Sequence, residues 1–305
     1  MRPVIFAMPG NEALASSLSG LLKVEDGRLE HRIFPDGESY LRFLTPVAGR
    51  SVALACSLFN PDHKVLPLLL AAAALRDQGA IRVGLVAPYL AYMRQDKQFN
   101  DGEAVTSRGF ARLVSASFDW IVTVDPHLHR YKSLDELYTV PVGVGHAAPV
   151  LAAYLRPRQG RVFMLGPDEE SEQWVAAVAA AAGAPHIVMQ KTRRGDRDVS
   201  ITFSGLGVFQ GRTPVLVDDV ISSGKTMEVA VRQLVRLGFA SPICLAVHGV
   251  LAEDAKARLE EAGAEVVTTN TIPGAAARLD VGPLLAKLVA PYLTGYQSDA
   301  PARPA

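Results

Sequence analysis

The chain of 305 residues has little of several features that mark particular classes of protein. It contains only two cysteines, Cys56 and Cys244, which excludes a disulfide framework and any cluster of thiolate metal ligands. Both cysteines lie in apolar runs typical of strands, so we expect buried free thiols, as in a reducing cytoplasm. Lysine plus arginine and aspartate plus glutamate each number 31, so no excess of one charge favours a nucleic-acid or membrane surface.

Long apolar runs are also missing. The longest candidate, Leu66–Leu75, is ended by Arg76 and falls short of the ~20 residues that span a bilayer. The apolar run within Met1–Gly10 is too short for a signal peptide. We therefore expect a cytoplasmic protein that binds neither membrane nor nucleic acid. An anionic ligand would have to be held by local groups of side chains.

Short apolar runs alternate with helical patterns along the chain. Strands are predicted at Val4–Ala7, Val52–Cys56, Arg82–Val86, Trp120–Val124, Val140–Val144, Val162–Leu165, His186–Met189, Val199–Phe203, Pro214–Val217, Ile243–Val247 and Glu265–Thr269. Helices are predicted at Leu66–Arg76, Ser107–Ser117, Glu170–Ala182, Thr226–Leu237, Glu253–Ala262 and Val281–Leu293. This alternation indicates an α/β class, with parallel sheets flanked by helices. We predict two domains, 1–147 and 148–295, followed by a disordered tail at 296–305.

The segment Thr213–Thr226, TPVLVDDVISSGKT, predicts an anion site. An apolar strand ends in Asp218 and Asp219, and a loop of small residues leads into a helix. Small residues let backbone N–H groups approach a phosphate, and the helix N-terminus adds partial positive charge. Paired carboxylates beside a phosphate suit a vicinal diol, so a sugar phosphate is the predicted ligand. In the alternative interpretation, the acids only cap the helix.

Six segments follow one another along the chain: Phe34–Glu38 (FPDGE), Pro88–Lys97 (PYLAYMRQDK), Val124–His127 (VDPH), Lys191–Arg193 (KTR), Val217–Thr226 and Thr269–Pro273 (TNTIP). In this order they resemble the motifs of the ribose-phosphate pyrophosphokinase (PRPP synthetase) family. The resemblance implies two tandem type I phosphoribosyltransferase-like domains. The N-terminal domain would serve nucleotide binding and assembly. The C-terminal domain would hold ribose 5-phosphate and a flexible catalytic loop.

The resemblance also implies the reaction, which is transfer of the diphosphoryl group of ATP to the C1 hydroxyl of ribose 5-phosphate, with Mg²⁺. The implied ATP-binding residues are Phe34, Asp36, Glu38, Arg94 and Gln95. The implied ribose 5-phosphate ligands are Asp218, Asp219, Ser222, Ser223, Gly224, Lys225 and Thr226. The implied catalytic residues are Lys191, Arg193 and His127, and the implied metal ligands are His127 and Asp168. A homo-oligomer that shares nucleotide sites between subunits is expected on the same ground.

Two alternatives stay open because the chain departs from the family pattern. Glu169, Glu170 and Glu172 follow Asp168 where the family has glycines, and added carboxylates repel phosphate unless a cation intervenes. This departure favours a regulatory homologue that binds nucleotide without turnover. The ribose-phosphate loop alone would also fit a phosphoribosyltransferase that acts on a base.

Overall fold

The computed structural model describes residues 1–167, 171–194, 198–202 and 206–294, and the chain divides into two compact units. One unit contains Met1–Gly145 together with the segment from Gly282 onward, and the other is His146–Val281. Each unit is built on a parallel sheet of six strands with helices packed against it. The predicted α/β class with two domains is therefore confirmed.

The first unit follows the predicted alternation of strands and helices. Its strands are β1 (Val4–Ala7), β2 (Glu25–Gly27), β3 (Leu29–Ile33), β4 (Ser39–Phe43), β5 (Ser51–Ala55), β6 (Arg82–Val86), β7 (Trp120–Val124) and β8 (Val142–Gly145). Its first helices are α1 (Glu12–Leu22), α2 (Asp62–Asp77) and α3 (Thr106–Ser117). The sheet order is β2-β1-β5-β6-β7-β8. Every residue of β5 and β7 is buried, which explains why these central parallel strands are predominantly apolar.

The second unit repeats the architecture. Its strands are β9 (Val162–Gly166), β10 (His186–Val188), β11 (Gln190–Arg194), β12 (Asp198–Thr202), β13 (Thr213–Ile221), β14 (Ile243–Gly249), β15 (Glu265–Thr269) and β16 (Ala277–Leu279). Its helices are α4 (Ala148–Leu155), α5 (Glu172–Ala182), α6 (Lys225–Arg236) and α7 (Ala255–Glu261). The sheet order is β10-β9-β13-β14-β15-β16, which places β13 and its loop in the middle.

The last helix, α8 (Gly282–Thr294), packs against the first unit. Tyr292 stacks on the buried Trp120 of β7, with ring centroids 5.0 Å apart. Gly145 at the end of β8 leaves room for Leu288, because a Cβ at position 145 would lie 2.9 Å from its side chain. The predicted domain 148–295 therefore differs from the structure, in which the second unit ends at Val281. This packing depends on contacts between distant residues, so local sequence patterns did not reveal it.

Several elements escaped the sequence analysis, and the most consequential is an antiparallel hairpin formed by β3 and β4. The FPDGE segment forms its turn, where the N–H of Phe34 donates to the carbonyl of Glu38 (2.7 Å). Helices α1 and α4 and the short edge strands β2 and β16 were also missed. The edge strands are three residues each, too short for a periodic signal.

Both cysteines are buried free thiols, as predicted. Burial raises the pKa of each thiol to about 12, so both remain protonated at neutral pH. A separate observation concerns membranes: none of the helices in the described part of the chain is both long and apolar enough to cross one.

Candidate active site

The central strand β13 carries both candidate acids. The sequence predicted that the strand would end at Val217, but β13 continues through Asp218 and Asp219 to Ile221. The reason is pairing with β14, where Asp218 lies opposite Ala246 and Ile221 lies opposite Gly249. The ladder of backbone hydrogen bonds thus holds the acids in extended conformation at the carboxyl end of the sheet, the usual place for ligands in α/β folds.

A small cavity of ≈ 130 Å³ lies beyond the end of this strand. It is lined by Asp218, Val220, Ile221, Ser222, Ser223, Gly224, Lys225, Thr226 and Met227. The structure therefore brings together Asp218 and the five predicted loop residues. Asp219 is not among the lining residues and is 3% exposed, while its N–H donates to Asp218 Oδ1 (3.0 Å). Neighbouring residues of a strand face opposite sides, which separates the environments of the two acids.

Gly224 connects this cavity to α6. It is the N-cap of the helix and has a left-handed backbone, with φ +68°. A Cβ at this position would lie 3.3 Å from Ala255 Cβ and 3.4 Å from Leu259 Cδ1. Two features therefore require glycine at position 224, namely the backbone conformation and the close packing. The result is a helix N-terminus directed at the cavity, where its partial positive charge favours an anion.

We expect Gly224→Ala to weaken the binding of a sugar phosphate and to destabilise the protein by about 1–2 kcal/mol, because alanine is strained at positive φ. Gly238→Ala is a matched control. Gly238 also has a positive φ (+81°), but no atom lies within 4 Å of the Cβ that would be added there. Denaturant unfolding should show a loss for both variants, whereas calorimetry with ribose 5-phosphate should show a loss for Gly224→Ala alone. Equal affinities would contradict this role.

In the first unit, two polar loops follow β6 and β7 and contact each other. Arg130 Nε donates to Asp96 Oδ1 (3.3 Å), and the Tyr131 hydroxyl donates to the backbone carbonyl of Asp96 (3.2 Å). The N–H of Ser107 in α3 donates to the carbonyl of Gln95 (3.3 Å). These contacts hold the Arg94–Gln95 segment beside the loop that contains His127. Sequence reasoning missed Arg130, since a single arginine three residues after His127 carries no signal by itself.

The backbone changes direction at Asp125, the first residue of the loop after β7. Asp125 is buried and has a left-handed backbone, with φ +33°, and its N–H donates to the carbonyl of Gly145 (2.9 Å). His127 follows, half-buried, with its ring edge-on to that of His129 at a centroid distance of 3.9 Å. A left-handed aspartate is uncommon, and such conformations concentrate at functional sites.

The three predicted adenine contacts lie in the turn of the β3–β4 hairpin. Asp36 and Glu38 are exposed, and Asp36 Oδ1 accepts from the N–H of Glu38 (3.2 Å). The ring of Phe34 is covered by the guanidinium of Arg32 at 4.6 Å, and the same group lies 4.1 Å from the Tyr40 ring. The hairpin forms a two-stranded sheet of its own, apart from the parallel sheet of the unit.

The remaining predicted residues lie partly outside the described part of the chain. Asp168, Glu169 and Glu170 fall outside it. Lys191 and Arg193 lie in β11, opposite Ile201 and Val199 of the antiparallel partner β12. Lys191 and Arg193, which the resemblance assigns to a flexible catalytic loop, therefore belong to a strand. β-Branched residues such as Val199 and Ile201 favour that conformation.

A metal site made by the protein alone needs several donor side chains close together. Across 1–167, 171–194, 198–202 and 206–294, no three histidine, cysteine or acidic residues come together in a way that could hold an ion. Mg²⁺ sites that use one or two carboxylates plus substrate phosphates need no such group. The carboxylate of Asp218 at the cavity is a ligand of the hard oxygen type that Mg²⁺ takes.

Comparison with known proteins decides the family. Residues 3–117 match the model of the N-terminal domain of ribose phosphate pyrophosphokinase, and residues 133–280 match the phosphoribosyl transferase domain. The ribose-phosphate pyrophosphokinase of Methanosarcina mazei is 34% identical over 290 residues, covering 94% of this chain and 95% of the relative. This chain belongs to the ribose-phosphate pyrophosphokinase family.

Other family members support the assignment across the whole chain. The ribose-phosphate pyrophosphokinase of Methanopyrus kandleri is also 34% identical, covering 94% of this chain and 98% of its own. The crystal structure of phosphoribosylpyrophosphate synthetase from Mycobacterium smegmatis superposes with a TM-score of 0.85 at 28% identity, covering 97% of this chain and all of that one. The match therefore includes residues of both units.

Proposed function

We propose that this chain transfers the β,γ-diphosphoryl group of ATP to the C1 hydroxyl of ribose 5-phosphate, which yields PRPP and AMP. The observation that carries the proposal is the cavity at the end of β13, where Asp218 meets a loop of small residues and a helix N-terminus. A phosphate would fit the loop and the helix N-terminus, and the neighbouring diol of the sugar would fit Asp218. Family membership supplies the reaction type.

The proposed reaction needs no side-chain nucleophile. The C1 oxygen of the sugar attacks the β-phosphorus of ATP and loses its proton, while the bond from the β-phosphorus to the bridging α,β-oxygen breaks. AMP leaves with that oxygen. Charge accumulates on the incoming and departing oxygens, so catalysis consists mainly of positioning and charge neutralisation.

Different residues would bind the sugar phosphate and neutralise the charge of the transferred phosphates. Ser222, Ser223, Gly224 and Thr226 would bind the 5-phosphate, with Lys225 adding a positive charge, and Asp218 would hold the ribose hydroxyls. Asp219 does not line the cavity, so its assignment to the ribose hydroxyls rests on the family resemblance. Lys191 and Arg193 would neutralise the transferred phosphates, since arginine matches phosphate geometry in a bidentate manner and lysine supplies a point charge. The structural support is strongest for the loop, whose members share one cavity.

The nucleotide would be held by the first unit. Phe34 would stack on adenine, Asp36 and Glu38 would contact its polar edge, and Arg94 and Gln95 would bind ATP. The hydrogen bonds from Arg130 and Tyr131 to Asp96 support this assignment because they fix the Arg94–Gln95 segment beside the loop that contains His127. Mg²⁺ would be held by the ATP phosphates with His127 and Asp168, and when bound it would neutralise phosphate charge.

The exposure of the hairpin supports a nucleotide site that is shared between copies of the chain. Ile33 at the end of β3 is 66% exposed and Phe34 in the turn is 36% exposed, so two adjacent large apolar side chains face solvent here. A homo-oligomer in which a second copy covers this turn would bury them.

The two free thiols are consistent with a protein of the reducing cytoplasm, where ATP is also available.

Formation of AMP from ATP and ribose 5-phosphate, with Mg²⁺ and phosphate present, tests the function. AMP should appear only when both substrates are supplied, together with an equal amount of PRPP. Nucleotide binding without AMP would favour the regulatory homologue indicated by Glu169–Glu172. Consumption of PRPP with a nucleobase, in place of its synthesis, would identify a phosphoribosyltransferase.

A further inference from the structure

The loop that lines the phosphate cavity is held from behind by one segment of the chain. The carbonyl of Ile221 accepts from the N–H of Leu251 (2.9 Å), and the carbonyl of Ser222 accepts from the N–H of Ala252 (3.1 Å). The carbonyl of Ser223 accepts from Arg258 in α7, at 2.6 Å from Nη2. Three consecutive carbonyl groups are therefore all engaged by residues 251–258.

The direction of these carbonyls fixes the direction of the N–H groups. In a trans peptide the C=O of one residue and the N–H of the next point to opposite sides, and the described chain contains no cis peptide. Carbonyls that face residues 251–258 therefore turn the N–H groups of Ser222, Ser223 and Gly224 the other way. Consecutive N–H groups that point to one side are the kind of donor set that can bind an anion.

Of the three residues that donate to these carbonyls, Arg258 is the one that uses its side chain. Besides the carbonyl of Ser223, its guanidinium contacts the carbonyl of Glu253 and, through Nε at 3.2 Å, Glu228 Oε2 in the first turn of α6. One planar group thus ties the loop to the start of α6 and to the backbone before α7. The side chain is 29% exposed, so solvent screens these charge-assisted bonds only in part.

We propose that Arg258 is a positioning residue for the phosphate loop. It holds the Ser223–Gly224 peptide in the orientation that presents the N–H of Gly224 to the 5-phosphate. This inference rests on the proposed function, because it assigns a ligand to the same cavity. It adds a residue remote from the recognised loop sequence, on a different helix, to the determinants of sugar-phosphate affinity.

Arg258→Met tests the inference, since methionine keeps much of the length of the side chain but donates no hydrogen bond. Hydrogen bonds to charged groups contribute enough that we expect ribose 5-phosphate to bind roughly tenfold more weakly or worse. Calorimetry without ATP measures this directly. In turnover assays the KM for ribose 5-phosphate should rise by a similar factor, whereas the KM for ATP should stay within about twofold of the wild-type value.

Arg232→Met is the matched control. Arg232 lies in α6 and bonds Oε1 of the same Glu228, at 2.9 Å and 3.1 Å, and its side chain is 48% exposed. It should leave ribose 5-phosphate affinity unchanged. If circular dichroism shows that Arg258→Met does not fold, Arg258→Lys carries the same test, because lysine cannot reach all three acceptors at once.

The outcomes separate the two hypotheses. Loss of ribose 5-phosphate affinity in the folded Arg258 variant, with the Arg232 variant unaffected, supports the positioning role. Wild-type affinity in the folded Arg258 variant, or an equal loss of affinity for ATP, overturns it. A wild-type protein that neither binds ribose 5-phosphate nor forms AMP would instead refute the proposed function.

Discussion

Replacing Lys191 with alanine should reduce turnover by roughly two to three orders of magnitude, the usual effect of removing one group that neutralises transition-state charge. Ribose 5-phosphate affinity should stay nearly intact, because the contacts of this lysine with the transferred phosphates would form mainly in the transition state. Steady-state kinetics together with calorimetry would separate the two effects. A large loss of kcat with an unchanged dissociation constant is the expected pattern.

Arg194→Ala provides the control for this experiment. Arg194 lies in the same strand, β11, and carries the same charge, but the proposed machinery does not include it. Its removal should change kcat by no more than a few-fold. An equal loss in both variants would mean that the net charge of strand β11 matters and that Lys191 has no individual role.

Replacing Asp218 with asparagine should instead weaken the binding of ribose 5-phosphate. Asp218 lines the cavity, and a carboxylate that accepts hydrogen bonds from sugar hydroxyls contributes about 1.5–3 kcal/mol, as charged hydrogen bonds do. The KM for ribose 5-phosphate should therefore rise by roughly ten- to hundredfold, while that for ATP changes little. Asp219→Ala should weaken the same ligand and also lower Tm, because the Asp219 side chain is packed inside the protein at 3% exposure.

Asp254→Asn serves as the comparison for the Asp218 variant. Asp254 is exposed, lies just before α7, and has a left-handed backbone (φ 57°) that asparagine tolerates well. Its substitution should alter neither KM. If Asp218→Asn bound ribose 5-phosphate as tightly as this control, the sugar would not lie against β13.

Most strands and helices were predictable because their signals are local. β1, β6, β7 and β15 have the predicted bounds, since each is a short run that contains β-branched residues, which favour strands. The start of α5 was shifted by two residues, and its first-turn acid Glu172 agrees with the expected helix start. The β3–β4 hairpin was not predicted, because its residues are mostly exposed and mixed in polarity.

The candidate site was predictable in its composition and only partly in its arrangement. The loop after β13 was located because small residues between two acids and a helix form a rare pattern. The different surroundings of Asp218 and Asp219 were not visible, since they follow from pairing between β13 and β14. The support from Arg258 was invisible for the same reason, because 35 residues of sequence separate it from Ser223.

By itself the sequence determined the α/β class, the burial of both thiols and the place of the small-residue loop between β13 and α6. These features depend on hydrophobic periodicity and on the conformational freedom of small residues, which act within a few positions. Only the tertiary structure decided that α8 joins the first unit, that β13 extends through its acids, and that Arg258 backs the loop. Each of these depends on free energy from contacts between residues far apart in the chain, which no local pattern records.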